Sequence, residues 1–174
     1  MKLKLRMPMM TNNELLEALQ ERFSSMVLAS EILHDALVIE IHPGHALDFI
    51  TALKNDEVLS FNFLTLIGAV HYPDEAGREL CVVYHLHSWK NAIRLRIKSY
   101  LPQENPSIKS LTILFDGANW MERETYDFFG VNFEGHPNLT RILNMDEMDY
   151  HPMLKQYHLE DETREDKDDR FFGR

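Results

Sequence analysis

The stretch Ala92–Tyr100, AIRLRIKSY, alternates cleanly. Successive side chains of a strand point to opposite faces, so Ile93, Leu95 and Ile97 share one face and Arg94, Arg96 and Lys98 the other. A strand of this kind belongs in an antiparallel sheet with one face against a core and a wet, basic outer face. The buried face then needs a second layer, and the flanking segments supply it. Thr11 with Glu14 is a capping box, and Leu15, Leu16, Leu19 and Phe23 follow on one helical face. Ala36–His42 reads as a strand ended by Pro43-Gly44, and Ala46–Lys54 reads as a helix through Leu47, Ile50 and Leu53. Phe61–His71 and Glu79–His87 are strand-like, the first closed by the turn residues Tyr72-Pro73-Asp74.

The order helix, strand, helix, three strands predicts an α+β fold of two layers. Its helices lie on one side of a mixed, mostly antiparallel sheet. Residues 24–35 carry no clear pattern, and a short helical segment is expected at Ser107–Phe115. The expected domain runs from residue 1 to 130. Residues 131–174 read as a long irregular extension, with a dense acidic tail from about residue 160. Phe133, Leu139, Ile142, Leu143, Met148 and Tyr150 in that extension lack evident local partners, which points to packing on another chain.

Composition removes several functions. The formal net charge of -10 argues against sequence-independent DNA binding and against charge-driven binding to anionic lipid. The single cysteine, Cys81, forms no internal disulfide and no thiolate cluster by itself, and its setting LCVVY is that of a buried thiol. No apolar run of about 7–15 residues follows the basic start, so no signal peptide is expected. The longest nearly apolar stretch, Phe61–Val70, is about half of a membrane span. A chain working at a membrane would be held there by something else.

The densest stretch is Asn119–Leu143, where Glu122, Arg123, Glu124 and Asp127 sit between Trp120 and Phe128-Phe129. Local helix physics predicts part of it: Asn119 as N-cap with Glu122 three residues on, acids in the first turns, an Arg123–Asp127 pair, and Gly130 at a left-handed C-terminal position. The face Trp120, Glu124, Asp127, Phe128 then mixes aromatic anchors with charge, as protein contacts do. An ordinary amphipathic helix on its own core is the plainer reading. Glu122, Glu124 and Asp127 form a weak candidate for acid–base catalysis. His85 and His87, two apart on a strand, form a weak candidate metal pair, with a third ligand from the Glu122–Asp127 cluster or His136. Imidazoles on the polar face of a strand are the plainer reading there too. No nucleophile elbow and no phosphate-binding loop is present.

Trp120-Met121-Glu122-Arg123-Glu124, then Asp127-Phe128-Phe129-Gly130, Gly135-His136-Pro137 and Arg141-Ile142-Leu143, closely resembles the 30-kDa subunit family of respiratory complex I. Weaker similarity reaches back to about Ala36 and includes Tyr72-Pro73, Val83-Tyr84 and Arg94–Lys98. The chain departs from the family at Thr140, where a second basic residue is usual, and in Pro152-Met153-Leu154-Lys155-Gln156-Tyr157. The resemblance implies a non-catalytic structural subunit of the peripheral arm of a proton-translocating NADH:quinone oxidoreductase. It would have no cofactor of its own, with FMN, iron–sulfur clusters and quinone in partner subunits. Its partner would be the 49-kDa-type subunit, together with other subunits of the peripheral arm, and its place the cytoplasmic face of the inner membrane. Trp120, Glu122, Arg123, Glu124, Asp127, His136, Pro137 and Arg141 would form the interface motif. The alternatives are the equivalent subunit of a membrane-bound hydrogenase or ferredoxin-linked complex and, remotely, a metal-dependent hydrolase using His85 and His87.

Overall fold

A computed structural model describes residues 10–157. The element order is α1 (Asn12–Phe23), β1 (Val27–Leu33), β2 (Ala36–Ile41), α2 (Ala46–Asn55), β3 (Phe63–His71), β4 (Leu80–Ser88), β5 (Ile93–Leu101), β6 (Ser107–Lys109), α3 (Ala118–Phe129) and β7 (Asn132–Glu134). Five strands form one sheet in the order β1-β2-β5-β4-β3. Only β2–β5 is parallel within it, so the α+β, mostly antiparallel expectation holds. Inward residues Leu37, Ile39, Tyr84, Leu86, Leu95 and Ile97 join Leu15 and Leu19 of α1, Phe49, Ile50 and Leu53 of α2 and Ala118 of α3 in one core. The alternation in β5 plays out as predicted: Ile93, Leu95 and Ile97 are buried while Arg94 is exposed.

Two elements depart from the sequence reading. Residues 27–33 form β1, paired with β2 around His34 and Asp35. Both turn residues have positive φ, 48° and 60°, as a two-residue type I′ hairpin turn requires. Asn-Gly is the usual signature of that turn; His-Asp hides it. The expected helix at Ser107–Phe115 is instead β6 followed by turns, because Ser107–Lys109 pairs in parallel with β7. That partner lies in the segment expected to be without local contacts. Val131 and Phe133 are in fact buried in the chain's own core, as is Leu154, while Leu143, Met145 and Tyr150 stay exposed.

Helix α3 ends where expected. Gly130 sits at φ 78° and donates its amide to the Tyr126 carbonyl at 2.8 Å. A Cβ there would also meet the His151 ring at 2.7 Å, so glycine is required for space as well as for backbone geometry. Capping at the other end differs from expectation. Gly117 precedes the helix, and no side chain caps it. Asn119 lies inside the first turn, so Glu122 has no capping role.

Candidate functional site

The motif residues are brought together on α3 and the segment 136–151, but most face their own chain. Glu122 is fully buried and accepts from Ser110 Oγ at 2.7 Å and the Leu111 amide at 2.6 Å. It therefore anchors α3 to the turn after β6. Burial pushes its carboxyl up to about 7, against the lowering effect of those two hydrogen bonds. The Tyr84 hydroxyl, buried in the same core, has no hydrogen-bond partner among the described residues. Burial first, and the Glu122 carboxylate second, push its ionisation up as well.

Asp127 is also fully buried, yet its surroundings are the opposite. Oδ2 accepts from the amides of Ile142, Leu143 and Asn144 at 3.1, 2.8 and 2.9 Å. Oδ1 accepts from Arg141 Nη1 at 2.7 Å and Asn144 Nδ2 at 3.0 Å. Burial raises its pKa, but the Asn144 and Leu143 amides, the Arg141 guanidinium and the Asn144 amide group outweigh that and hold it well below the usual carboxylate range. Three convergent N–H groups and a guanidinium favour the ionised form. The expected Arg123–Asp127 pair is not formed. Asp127 pairs with Arg141 instead, and Arg123 donates to the carbonyls of Thr140 and Arg141 at 3.0 and 2.9 Å.

The remaining motif residues extend this clasp. Arg141 Nη2 donates to the Met148 and Tyr150 carbonyls at 2.7 and 2.9 Å. His136 accepts from the Asn138 amide at Nδ1, so Nε2 carries the proton and donates to the Asn119 carbonyl at 3.1 Å. His151 Nδ1 bonds the Asp127 carbonyl at 3.0 Å, over the Gly130 backbone. Pro137 is exposed in the turn after His136. Thr140 joins the clasp through its backbone, its carbonyl accepting from Arg123 and its amide donating to the Asn138 carbonyl at 3.1 Å. Gln156 is held by Gln103 at 3.2 Å.

Trp120 and Glu124 alone among the α3 motif residues point outward. Trp120 is 58% exposed, with Arg123 over its ring at 5.2 Å. The expected docking face of Trp120, Glu124, Asp127 and Phe128 is therefore divided: Asp127 is internal, and its carboxylate is unavailable to a partner. Of the three acids in the acid–base reading, Glu122 and Asp127 are sealed from solvent and Glu124 is exposed. His71 was not singled out in the sequence. It is buried, bonds Gln103 Oε1 at 3.1 Å and accepts the Lys155 amide at 2.9 Å, a second anchor for the C-terminal segment. Its pairing with a residue 84 positions away leaves no local signal.

The candidate metal pair also resolves. His85 and His87 lie on the outer sheet face, opposite the helices, so the Glu122–Asp127 cluster cannot complete a site with them. Arg96 Nε donates to His85 Nε2 at 2.9 Å, placing a cation against one of its two ring nitrogens, and His87 packs against Trp89 with the rings tilted. No group of three or more His, Cys, Asp or Glu able to hold an ion occurs among the described residues. Burial pushes the Cys81 thiol up to about 11, so it stays protonated and unreactive. No described helix is long and apolar enough to cross a membrane.

The family model described as "Respiratory-chain NADH dehydrogenase, 30 Kd subunit" matches residues 39–163, which include the whole clasp. The chain belongs to this family. It is 39% identical over 157 residues to the C subunit of the NADH-quinone oxidoreductase of Citrifermentans bemidjiense, covering 90% of this chain and 96% of that one. It is also 39% identical to the corresponding NADH-quinone oxidoreductase subunit of Mycolicibacterium gilvum, covering 80% of this chain but 62% of that longer relative. A 48% match to the same subunit of Nocardioides sp. covers 62% of this chain and 43% of the relative. Among solved structures, the trypsin-resistant fragment (1-134) of Nqo5 superposes with a TM-score of 0.62 at 31% identity, over 72% of this chain and 98% of the fragment. A chain of the membrane-bound sulfane sulfur reductase, an archaeal respiratory membrane complex, superposes at 0.71 with 22% identity, over 84% and 85% of the two chains, and shows the shared fold.

Proposed function

We propose that this chain is a structural subunit of the peripheral arm of a proton-translocating NADH:quinone oxidoreductase, without an active site of its own. FMN, iron–sulfur clusters and quinone would be carried by partner subunits, and this chain would hold a 49-kDa-type partner in place. It would be attached to the cytoplasmic side of the membrane through the complex. The observation that carries the reading is how the motif is used. Asp127 and Arg141 are consumed in clasping residues 141–150 onto α3, and Glu122 in tying α3 to the turn after β6. Large apolar side chains on the clasped unit stay in solvent: Trp120 at 58%, Leu143 at 65% and Met145 at 69% exposure. Rigid aromatic and aliphatic anchors rimmed by charge are what a lasting subunit contact uses. Relatives named as NADH-quinone oxidoreductase subunits favour NADH as donor over the hydrogenase-type or ferredoxin-linked alternative.

The test is a native gel of membranes in which Trp120→Glu/Leu143→Glu replaces the wild-type chain. Assembled complex and its NADH:quinone activity are expected to fall at least tenfold, while the purified variant unfolds at the wild-type Tm. Normal assembly with both substitutions present would overturn the reading.

A further inference from the structure

The helices cover only the inner face of the sheet, and β5 presents Arg94 and Arg96 on the outer one. Register builds two parallel rows there. Phe63, His87 and Arg94 are cross-strand neighbours over β3, β4 and β5, and so are Leu66, His85 and Arg96. Adjacent strands are about 5 Å apart, so each row runs from an apolar side chain through an imidazole to a guanidinium within about 10 Å. Trp89 stacks on His87 at 4.7 Å and packs against Phe63 at 5.5 Å, yet is 58% exposed. A hollow of about 200 Å³ beside Arg94 and Arg96 is lined by His34 and His85 as well; Asp35 lines the adjoining hollow beside Arg94. Lys98 is paired with Glu31 and Arg78 with Glu40, but Arg94 and Arg96 have no carboxylate partner among the described residues. Burial, then Arg96 and Arg94, pushes the His85 pKa below its usual value, so the imidazole supports the Arg96 guanidinium as a neutral acceptor.

This cationic patch belongs to a chain of net charge -10. A second copy placed face to face would set the arginines against each other. An anionic bilayer would repel the rest of the chain. We propose that this outer sheet face is a second docking surface, separate from the clasped unit. Its occupant is another protein subunit that presents Asp or Glu between apolar side chains, the acid entering beside Arg94 and Arg96 and the apolar groups seating on Trp89, Phe63 and Leu66. The inference rests on the subunit reading above and adds a face and a partner chemistry to it.

The experiment places the photo-crosslinking residue p-benzoylphenylalanine at Leu66 of the full chain in native membranes, and in parallel at Trp120. Crosslinked peptides are identified by mass spectrometry. An adduct from Leu66 to a peptide of another subunit containing Asp or Glu is expected. Its yield should fall at least tenfold with Arg94→Glu/Arg96→Glu and stay within about twofold with Arg94→Lys/Arg96→Lys. An adduct to this chain's own residues 158–174, to a second copy or to lipid overturns the proposal, as does no adduct or a yield indifferent to the charge reversal. Capture from Trp120 without capture from Leu66 overturns this inference and leaves the proposed function standing. A chain that runs apart from the oxidoreductase on the native gel overturns both. Because Arg96→Glu also removes the hydrogen bond to His85, Arg94→Glu alone is the folding control: Arg94 is exposed, so its Tm is expected to be unchanged while the adduct yield still falls.

Discussion

Glu122 and Asp127 lie five residues apart on one helix, and both are sealed from water. Their protonation is driven in opposite directions. Glu122 has two hydrogen-bond donors and no cation; Asp127 has four N–H donors and a guanidinium. Burial disfavours the charged form at both sites, so the difference comes from what the rest of the chain brings to each. At Glu122 a turn brings one amide and one hydroxyl. At Asp127 a whole segment folds its amides inward around the carboxylate. A buried carboxylate is thus pushed toward its protonated form in one half of α3 and held ionised in the other.

The largest effect is expected at Asp127. Asp127→Ala would leave the Arg141 guanidinium buried and unpaired, and three amides without an acceptor. A loss of about 3–5 kcal/mol is expected, as for a broken buried ion pair. Urea unfolding measures it, and limited proteolysis should newly cut within residues 138–150. Stability unchanged within about 1 kcal/mol would show that the clasp does not hold the segment.

The two carboxylates should also divide the pH profile. The Glu122 pKa is raised from 4.5 to about 7, so its contribution to stability is full below about 4.5 and is lost as pH rises through about 7. Asp127 is lowered from 3.8, so its contribution is full above that value and is lost as pH falls toward its folded pKa. Unfolding free energy should therefore decline between about pH 4.5 and 7 by on the order of 3 kcal/mol. Glu122→Gln keeps an acceptor for the Leu111 amide and should abolish that decline while leaving the acid limb. A profile unaltered by Glu122→Gln would sink the contrast between the sites.

Gly130→Ala tests the backbone on which the clasp closes. The left-handed φ alone costs about 1–2 kcal/mol, and the His151 ring must also shift. Loss of the His151 contact, read from its imidazole NMR signals, should accompany the drop in Tm. The smallest effect is expected at the outward face. Trp120→Ala should change the stability of the free chain by no more than about 0.5 kcal/mol, as surface substitutions do. A larger loss would mean that Trp120 is internal in role, and that the division between clasp and contact surface is wrong.

Part of this molecule was legible in one dimension. The alternation of Ala92–Tyr100, the Thr11–Glu14 capping box and the Gly130 stop are short-range patterns, and each appears in the structure as read. A period of two or of 3.6 needs no knowledge of distant residues. The motif's charges were visible too, but not their destinations. Glu122 suited a cap by spacing and Arg123 suited Asp127 by spacing, yet both found other partners, because a segment without periodicity folded over the helix. The hairpin at His34-Asp35 was hidden for a related reason: its turn is enforced by the pairing of β1 with β2, not by glycine. Local sequence determined the elements with a clear period, α1, α2 and β2 to β5, and which of their faces are apolar. Tertiary structure alone decided which carboxylate is held ionised and which is pushed toward its protonated form, since that depends on donors arriving from residues 15 to 17 positions downstream.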